Sequence, residues 1–146
     1  HATAIRRCLD FKNVKVVSFG IRNLSKEEMI FYKKNRKKIK IFWANKKSKW
    51  KISEICKMFK NKNVYITFDV DAFDASLMPA TGTPEPGGIF WDDVMPILKN
   101  VCSVSNIVGA DINELAPIKN FNSCNFLTAK LAYKIISYVF EFKKRY

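Results

Sequence analysis

The chain has 146 residues, 48% of them hydrophobic, and a formal net charge of +13. That length admits one domain with a real core, and the composition excludes an intrinsically disordered chain. No apolar run is long enough to span a membrane, and no signal peptide is expected. The positive charge is concentrated in Lys33 to Lys40 and again in Lys46 to Lys51. No helix-turn-helix, zinc-finger or RNP-like motif accompanies it. It therefore reads as a solvated helix face and loop, and no nucleic-acid partner is expected.

In chain order, residues 1–10 read as the tail of a helix or loop. Val14 to Phe19 is a β-branched run closed by Gly20, hence a strand. Ser25, followed by Lys26, Glu27 and Glu28, is an N-cap with carboxylates in the first turn, and predicts a helix from about Lys26 to Lys34. Arg22, Glu27 and Glu28 read as surface or capping groups. Ile39 to Trp43 reads as a second strand. Lys51 to Lys60 carries Ile52, Ile55, Cys56 and Phe59 at helical spacing. Val64 to Asp69 is an apolar strand. Trp91 to Asn100 is a helix whose apolar face holds Val94, Ile97 and Leu98. Ser103 to Ile112 contains another buried strand. Ser123 to Phe142 is a long final helix, with Phe126, Leu127, Leu131, Ile135 and Val139 near the helical period.

Strands alternate with helices throughout, which predicts an α/β protein with a mainly parallel sheet. Such sheets bind ligands at the carboxyl ends of their strands. Two acidic groups fall there: Asp69 with Asp71, and Asp111 to Glu114. Four scattered cysteines, Cys8, Cys56, Cys102 and Cys124, lack the spacing of a zinc or redox motif and suit a reducing, cytoplasmic setting.

The most informative stretch is Thr67 to Gly88, TFDVDAFDASLMPATGTPEPGG. In a strand, residues i and i+2 share a face, so Asp69 and Asp71 are expected to present two carboxylates to one spot. An isolated Asp-x-Asp reads as a solvated strand end. Here a buried-type strand precedes it and a long Pro- and Gly-rich loop follows. Two close carboxylates repel unless a cation lies between them, so a metal site is the simplest arrangement that keeps both ionised. Asp74 reads as a turn or capping residue. The loop glycines Gly82, Gly87 and Gly88 read as sources of backbone freedom.

The pattern Thr67-Phe68-Asp69-Val70-Asp71, with Ala75, Pro79-Ala80, Thr81-Gly82-Thr83-Pro84 and Gly88, resembles a signature of the ureohydrolase family, the arginases and agmatinases. His1-Ala2-Thr3 with Arg6-Arg7, Ser18 to Arg22, and Gly109 to Pro117 are similar to further segments of agmatinases. The resemblance implies a three-layer α/β/α fold, two manganese ions and hydrolysis of a guanidino group to urea and an amine. It implies that Asp69 and Asp71 are metal ligands and that Glu114 pairs with the substrate guanidinium. It implies that Thr83 is a loop threonine near that carboxylate, and that His1 passes a proton to the leaving amine. The Pro84 to Gly88 form of the loop is agmatinase-like, so agmatine, cleaved to putrescine and urea, is the first substrate, before guanidinobutyrate or arginine. Trimers or hexamers are implied for the full-length form.

The family's other metal ligands lie in a histidine motif and a D-A-H-x-D motif upstream of the segment matching His1. This chain contains neither, and it starts at His1 rather than Met. Residues 1–146 are therefore expected to be the carboxyl-terminal part of a single ureohydrolase domain, inactive in isolation. A truncated non-catalytic product and a basic nucleic-acid-binding module are the rival readings.

Overall fold

The computed structural model describes residues 4–143. Its elements are α1 (Ala4–Cys8), β1 (Val16–Ile21), α2 (Lys26–Lys34), β2 (Ile39–Trp43), α3 (Ile52–Phe59), β3 (Asn63–Asp69), α4 (Trp91–Val104), β4 (Asn106–Asn113) and α5 (Ser123–Phe142). Short 3-10 turns follow β2, at Ala44–Lys49, and β3, at Val70–Ala72.

Strand β1 pairs in parallel with β2, and β3 in parallel with β4. Parallel neighbours require a crossover connection, and α2 and α4 supply it. The expected α/β class and parallel pairing are thus the observed ones. Among the described residues each strand is hydrogen-bonded on one edge only. All of β1 and residues Val64 to Asp69 of β3 line one shared cavity of about 500 Å³, which Ile97, Leu98 and Val101 of α4 also line.

The expected strand end at Gly20 is displaced. Strand β1 runs through Gly20 to Ile21, with a register shift between Phe19 and Ile21 and a φ of +79° at Gly20. Glycine accepts this left-handed conformation, so the residue bulges the strand rather than closing it.

Helix α2 begins with a reciprocal cap: Ser25 Oγ accepts from the Glu28 amide at 3.1 Å, and the Ser25 amide donates to Glu28 Oε2 at 2.7 Å. Helix α3 buries Ile55 against Ile97 and Val101. Helix α4 is the core helix, burying Val94, Ile97, Leu98, Val101 and Cys102. Burial pushes the Cys102 thiol up to about 11, so it packs as a small neutral side chain. Helix α5 turns Cys124, Leu131 and Ile135 inward. Phe126, expected on that same face, is instead 73% exposed. It lies five residues from Leu131, a rotation of about 140° around the helix.

Lysines of the basic runs also hold the fold, and Lys38 Nζ donates to the Leu9 carbonyl at 2.9 Å. Lys47 Nζ lies 3.0 Å from Asp93 Oδ2, donates to the Gly88 carbonyl at 3.3 Å and sits over the Phe90 ring. Among the described residues no helix is long and apolar enough to cross a membrane.

The long loop after β3 is built into the core. It buries Val70, Phe73, Met78, Ala80 and Ile89. Each of the larger four contributes about 1.5–3 kcal/mol when fully buried, so the loop is held in one shape although it has almost no regular structure.

Candidate active site

Strands β3 and β4 end side by side, with Thr67 opposite Asp111 and Asp69 opposite Asn113. Asp69 is the last residue of β3. Asp71 is not on the strand. It is the middle residue of the 3-10 turn Val70–Ala72, whose first residue, Val70, is fully buried and anchors it. The expected i, i+2 alternation is therefore not what brings the two carboxylates together. The turn folds Asp71 back toward Asp69 while Val70 fills the core.

The approach is close enough to be felt. Burial, with the like charges of Asp71, Glu114 and Asp111, pushes the Asp69 carboxyl above its usual range, and a hydrogen bond from Asn113 opposes this only partly. Asp69 keeps one side open to solvent, so its desolvation is partial and the neighbouring charges add to it. Asp111 differs. Burial pushes it up, but hydrogen bonds from Thr67, Tyr65 and Asn113 outweigh that and hold it below the usual range. Its carboxylate accepts from the Tyr65 hydroxyl at 2.9 Å and from Asn113 Nδ2 at 2.6 Å. Asp111 is thus occupied by its neighbours, whereas Asp69 is short of positive partners.

Glu114 follows β4 with φ +67°. The other described non-glycine residues at positive φ are Asn61 and Asn120, a type that tolerates it. For glutamate the conformation costs on the order of 1–3 kcal/mol and needs support. The support comes from the loop: Thr81 bridges Leu115, and the Ala116 amide donates to the Ala80 carbonyl at 2.9 Å. Gly82 lies over the Glu114 carboxylate, close enough that a β-carbon there would be 3.9 Å from Oε2. Thr83, expected near Glu114, makes its hydrogen bond to Asp71 instead, Oγ1 to Oδ2 at 3.3 Å. Asp69, Asp71, Thr83 and Glu114 are therefore gathered at one solvent-facing rim. His1 lies outside the described residues.

Asp74 does more than cap a turn. Its Oδ1 accepts from the Ser76 hydroxyl at 2.5 Å and the Ser76 amide at 3.0 Å, and its Oδ2 from the Gly87 and Gly88 amides at 2.7 and 3.0 Å. It ties the start of the loop to its end.

Arg22, expected on the surface, is half-buried and grips the site from below. Its guanidinium donates to the Asp71 carbonyl at 2.6 Å, the Ala72 carbonyl at 3.2 Å and the Gly20 carbonyl at 3.1 Å. Next to it, Asn23 Nδ2 donates to Glu85 Oε1. Apart from Gly20, these partners are 49 to 62 residues away in the chain, so no local pattern announces them.

Asp69 and Asp71 are hard oxygen donors crowded into mutual repulsion, which suits a divalent cation of the manganese or magnesium type. Among the described residues, however, no group of three or more His, Cys, Asp or Glu side chains could hold a metal ion. The donor chemistry fits such an ion; the donor number covers only part of a coordination shell.

Comparison with known proteins shows the family and the fold. The family model described as "Arginase family" matches residues 1–140. The chain is 33% identical over 148 residues to the N(1)-aminopropylagmatine ureohydrolase of Synechocystis sp., covering 99% of this chain and 47% of that protein. It is 32% identical to the agmatinase of Pyrococcus horikoshii over 93% of this chain and 47% of that one. Among solved structures, the agmatine ureohydrolase of Thermoplasma volcanium superposes with a TM-score of 0.81 and 31% identity, over 99% of this chain and 49% of the other. The chain thus spans about half the length of the curated relatives it matches.

Proposed function

The chain belongs to the arginase family, and we propose that it serves an agmatinase-like hydrolase that cleaves a guanidino group from an alkylamine, agmatine first, releasing urea and putrescine. The observation that carries this reading is the convergence of Asp69, Asp71, Thr83 and Glu114 at the ends of β3 and the 3-10 turn, β4 and the loop. The guanidino-amine substrates named for the relatives point the same way.

A guanidinium carbon is a poor electrophile, because its positive charge is spread over three nitrogens. Hydrolysis needs an activated water and a fixed substrate. In this proposal Asp69 and Asp71 hold one side of a two-manganese centre, which when bound supplies the Lewis acidity that activates water at neutral pH. The crowding of Asp69 by Asp71, Glu114 and Asp111 favours cation binding there. The Glu114 carboxylate accepts two N–H groups of the guanidinium, a planar two-point pairing that fixes both position and orientation. Its supported left-handed backbone keeps that carboxylate in one direction. Thr83 anchors the loop to Asp71 and orients that carboxylate. His1 is assigned the proton delivered to the leaving amine, a task its pKa range permits.

Residues 1–146 are proposed as the carboxyl-terminal part of one domain. Strands β1 and β3 have unsatisfied edges along a shared apolar cavity. Such edges are stable when another strand covers them, and the greater length of the relatives leaves chain to do so.

The test is urea release with manganese from agmatine, guanidinobutyrate and arginine, by the full-length protein and by the 146-residue chain. The full-length protein is expected to prefer agmatine, and the isolated chain to release none. No urea from any of the three substrates with the full-length protein would remove the reading.

A further inference from the structure

We infer that Arg22 is a positioning residue: by gripping the backbone of the turn Val70–Ala72 it sets the direction of the Asp71 carboxylate. The inference rests on the proposed function for what that carboxylate does, but its geometry stands apart from it.

The turn carrying Asp71 follows β3, while Arg22 follows β1, and β1 and β3 share no hydrogen-bonded ladder among the described residues. Arg22 links them through the backbone of the turn. Its Nη2 donates to the Asp71 carbonyl at 2.6 Å; its Nη1 is shared between the Ala72 carbonyl at 3.2 Å and the Gly20 carbonyl at 3.1 Å. Among the described residues no carboxylate lies within ion-pair distance of Arg22. A half-buried cation that spends its donors on three carbonyl oxygens is used as a rigid fork rather than as a charge partner. Among the described residues its buried Nε has no partner.

The bulge at Gly20 fits this role. It brings β1 against the turn, so that a β-carbon at Gly20 would lie 3.6 Å from the Ala72 carbonyl oxygen. The Gly20 carbonyl then becomes the near prong of the same grip. Asp71 is held at both ends, by its main chain through Arg22 and by its carboxylate through Thr83. A lysine offers one ammonium centre and cannot reach the Asp71 carbonyl and the Gly20–Ala72 pair in one plane.

The experiment compares Arg22→Lys, Arg22→Ala and Asp71→Asn with wild type in the full-length protein. Amide hydrogen exchange is read at Phe73, whose amide closes the turn on the Val70 carbonyl, and at Ile66 in mid-strand. Manganese affinity is read from the free-ion electron paramagnetic resonance signal. Both Arg22 variants are expected to exchange at Phe73 at least tenfold faster with Ile66 unchanged, and to bind manganese about tenfold more weakly, with lysine giving no rescue. Unchanged exchange at Phe73, an equal rise at Ile66, or unchanged affinity where Asp71→Asn weakens binding would each overturn the positioning role. If Asp71→Asn binds manganese as wild type does, the metal reading of Asp71 fails instead, and Phe73 exchange alone decides the grip: a local rise upholds it and no rise overturns it.

Discussion

The Asp74 carboxylate accepts the Gly87 amide at 2.7 Å across thirteen residues and so closes the loop that walls the site. The Ser76 hydroxyl and amide, with the Gly88 and Gly87 amides, hold its carboxyl down at about 2, against 3.8 for a free aspartate. A depressed carboxyl stabilises the fold in its ionised form. The contribution is complete above about pH 4 and is lost as pH falls toward 2.

Asp74→Ala is expected to lower stability by roughly 1–2 kcal/mol, the worth of a few partly solvated charge-assisted hydrogen bonds. Asp74→Asn should flatten the loss of stability between pH 4 and 2. Urea unfolding across that range measures both, and a wild-type slope retained in the asparagine variant would contradict the assignment.

Gly88→Ala is expected to be severe. A β-carbon there would stand 2.5 Å from the Asp74 amide nitrogen and from the Phe73 carbonyl carbon, which are backbone atoms that cannot step aside. A loss of about 1–3 kcal/mol follows from overpacking of this kind. Gly82→Ala is the contrast, since its nearest neighbour is a side-chain oxygen at 3.9 Å. Its stability should stay within about 0.5 kcal/mol of wild type. Thermal unfolding of the pair checks the difference in sign and size.

Asp69→Asn should separate stability from metal binding. The Asp69 carboxyl is raised in the fold by burial and by Asp71, Glu114 and Asp111. A raised carboxyl costs stability once pH exceeds its folded value, and the cost vanishes below the unfolded value near 4. The asparagine variant, free of metal at neutral pH, is therefore expected to melt about 1–3 °C higher than wild type, a gain below about 1 kcal/mol, and to bind manganese less. A lower melting temperature for the metal-free variant would count against the crowding of these acids.

Lys47→Ala tests a lysine of the basic runs that the core uses. The Lys47–Asp93 pair is about one-third exposed on each side, and the ammonium also caps Gly88 and faces Phe90. The expected loss is about 1 kcal/mol, more than for a largely exposed pair such as Lys51–Glu54. Duplex DNA binding should be absent at moderate salt for wild type and variant alike; a steep salt-dependent affinity in wild type would revive the nucleic-acid reading.

The family and the alternation of strands and helices are legible in the chain because their signals are local, and Asp69, Asp71, Thr83 and Glu114 are proposed there through the resemblance. A capping box, a helical apolar face and a strand that ends in acids each need only a few neighbouring residues. Helix α2, strand β2 and helix α5 fall within the expected limits for that reason. The bulge at Gly20, the turn that carries Asp71 and the outward face of Phe126 depend on what packs against them, and periodicity alone does not see the partner.

The sequence by itself thus determined which chemical groups are present and which strand ends carry them. Only the tertiary structure decided how they meet. Asp71 reaches Asp69 through a turn nailed down by Val70, Arg22 holds that turn from another strand pair, and Glu114 is kept in a left-handed conformation by Ala80 and Thr81. Each of these rests on hydrogen bonds and burial between residues dozens of positions apart, and such contacts exist only once the chain has closed on itself.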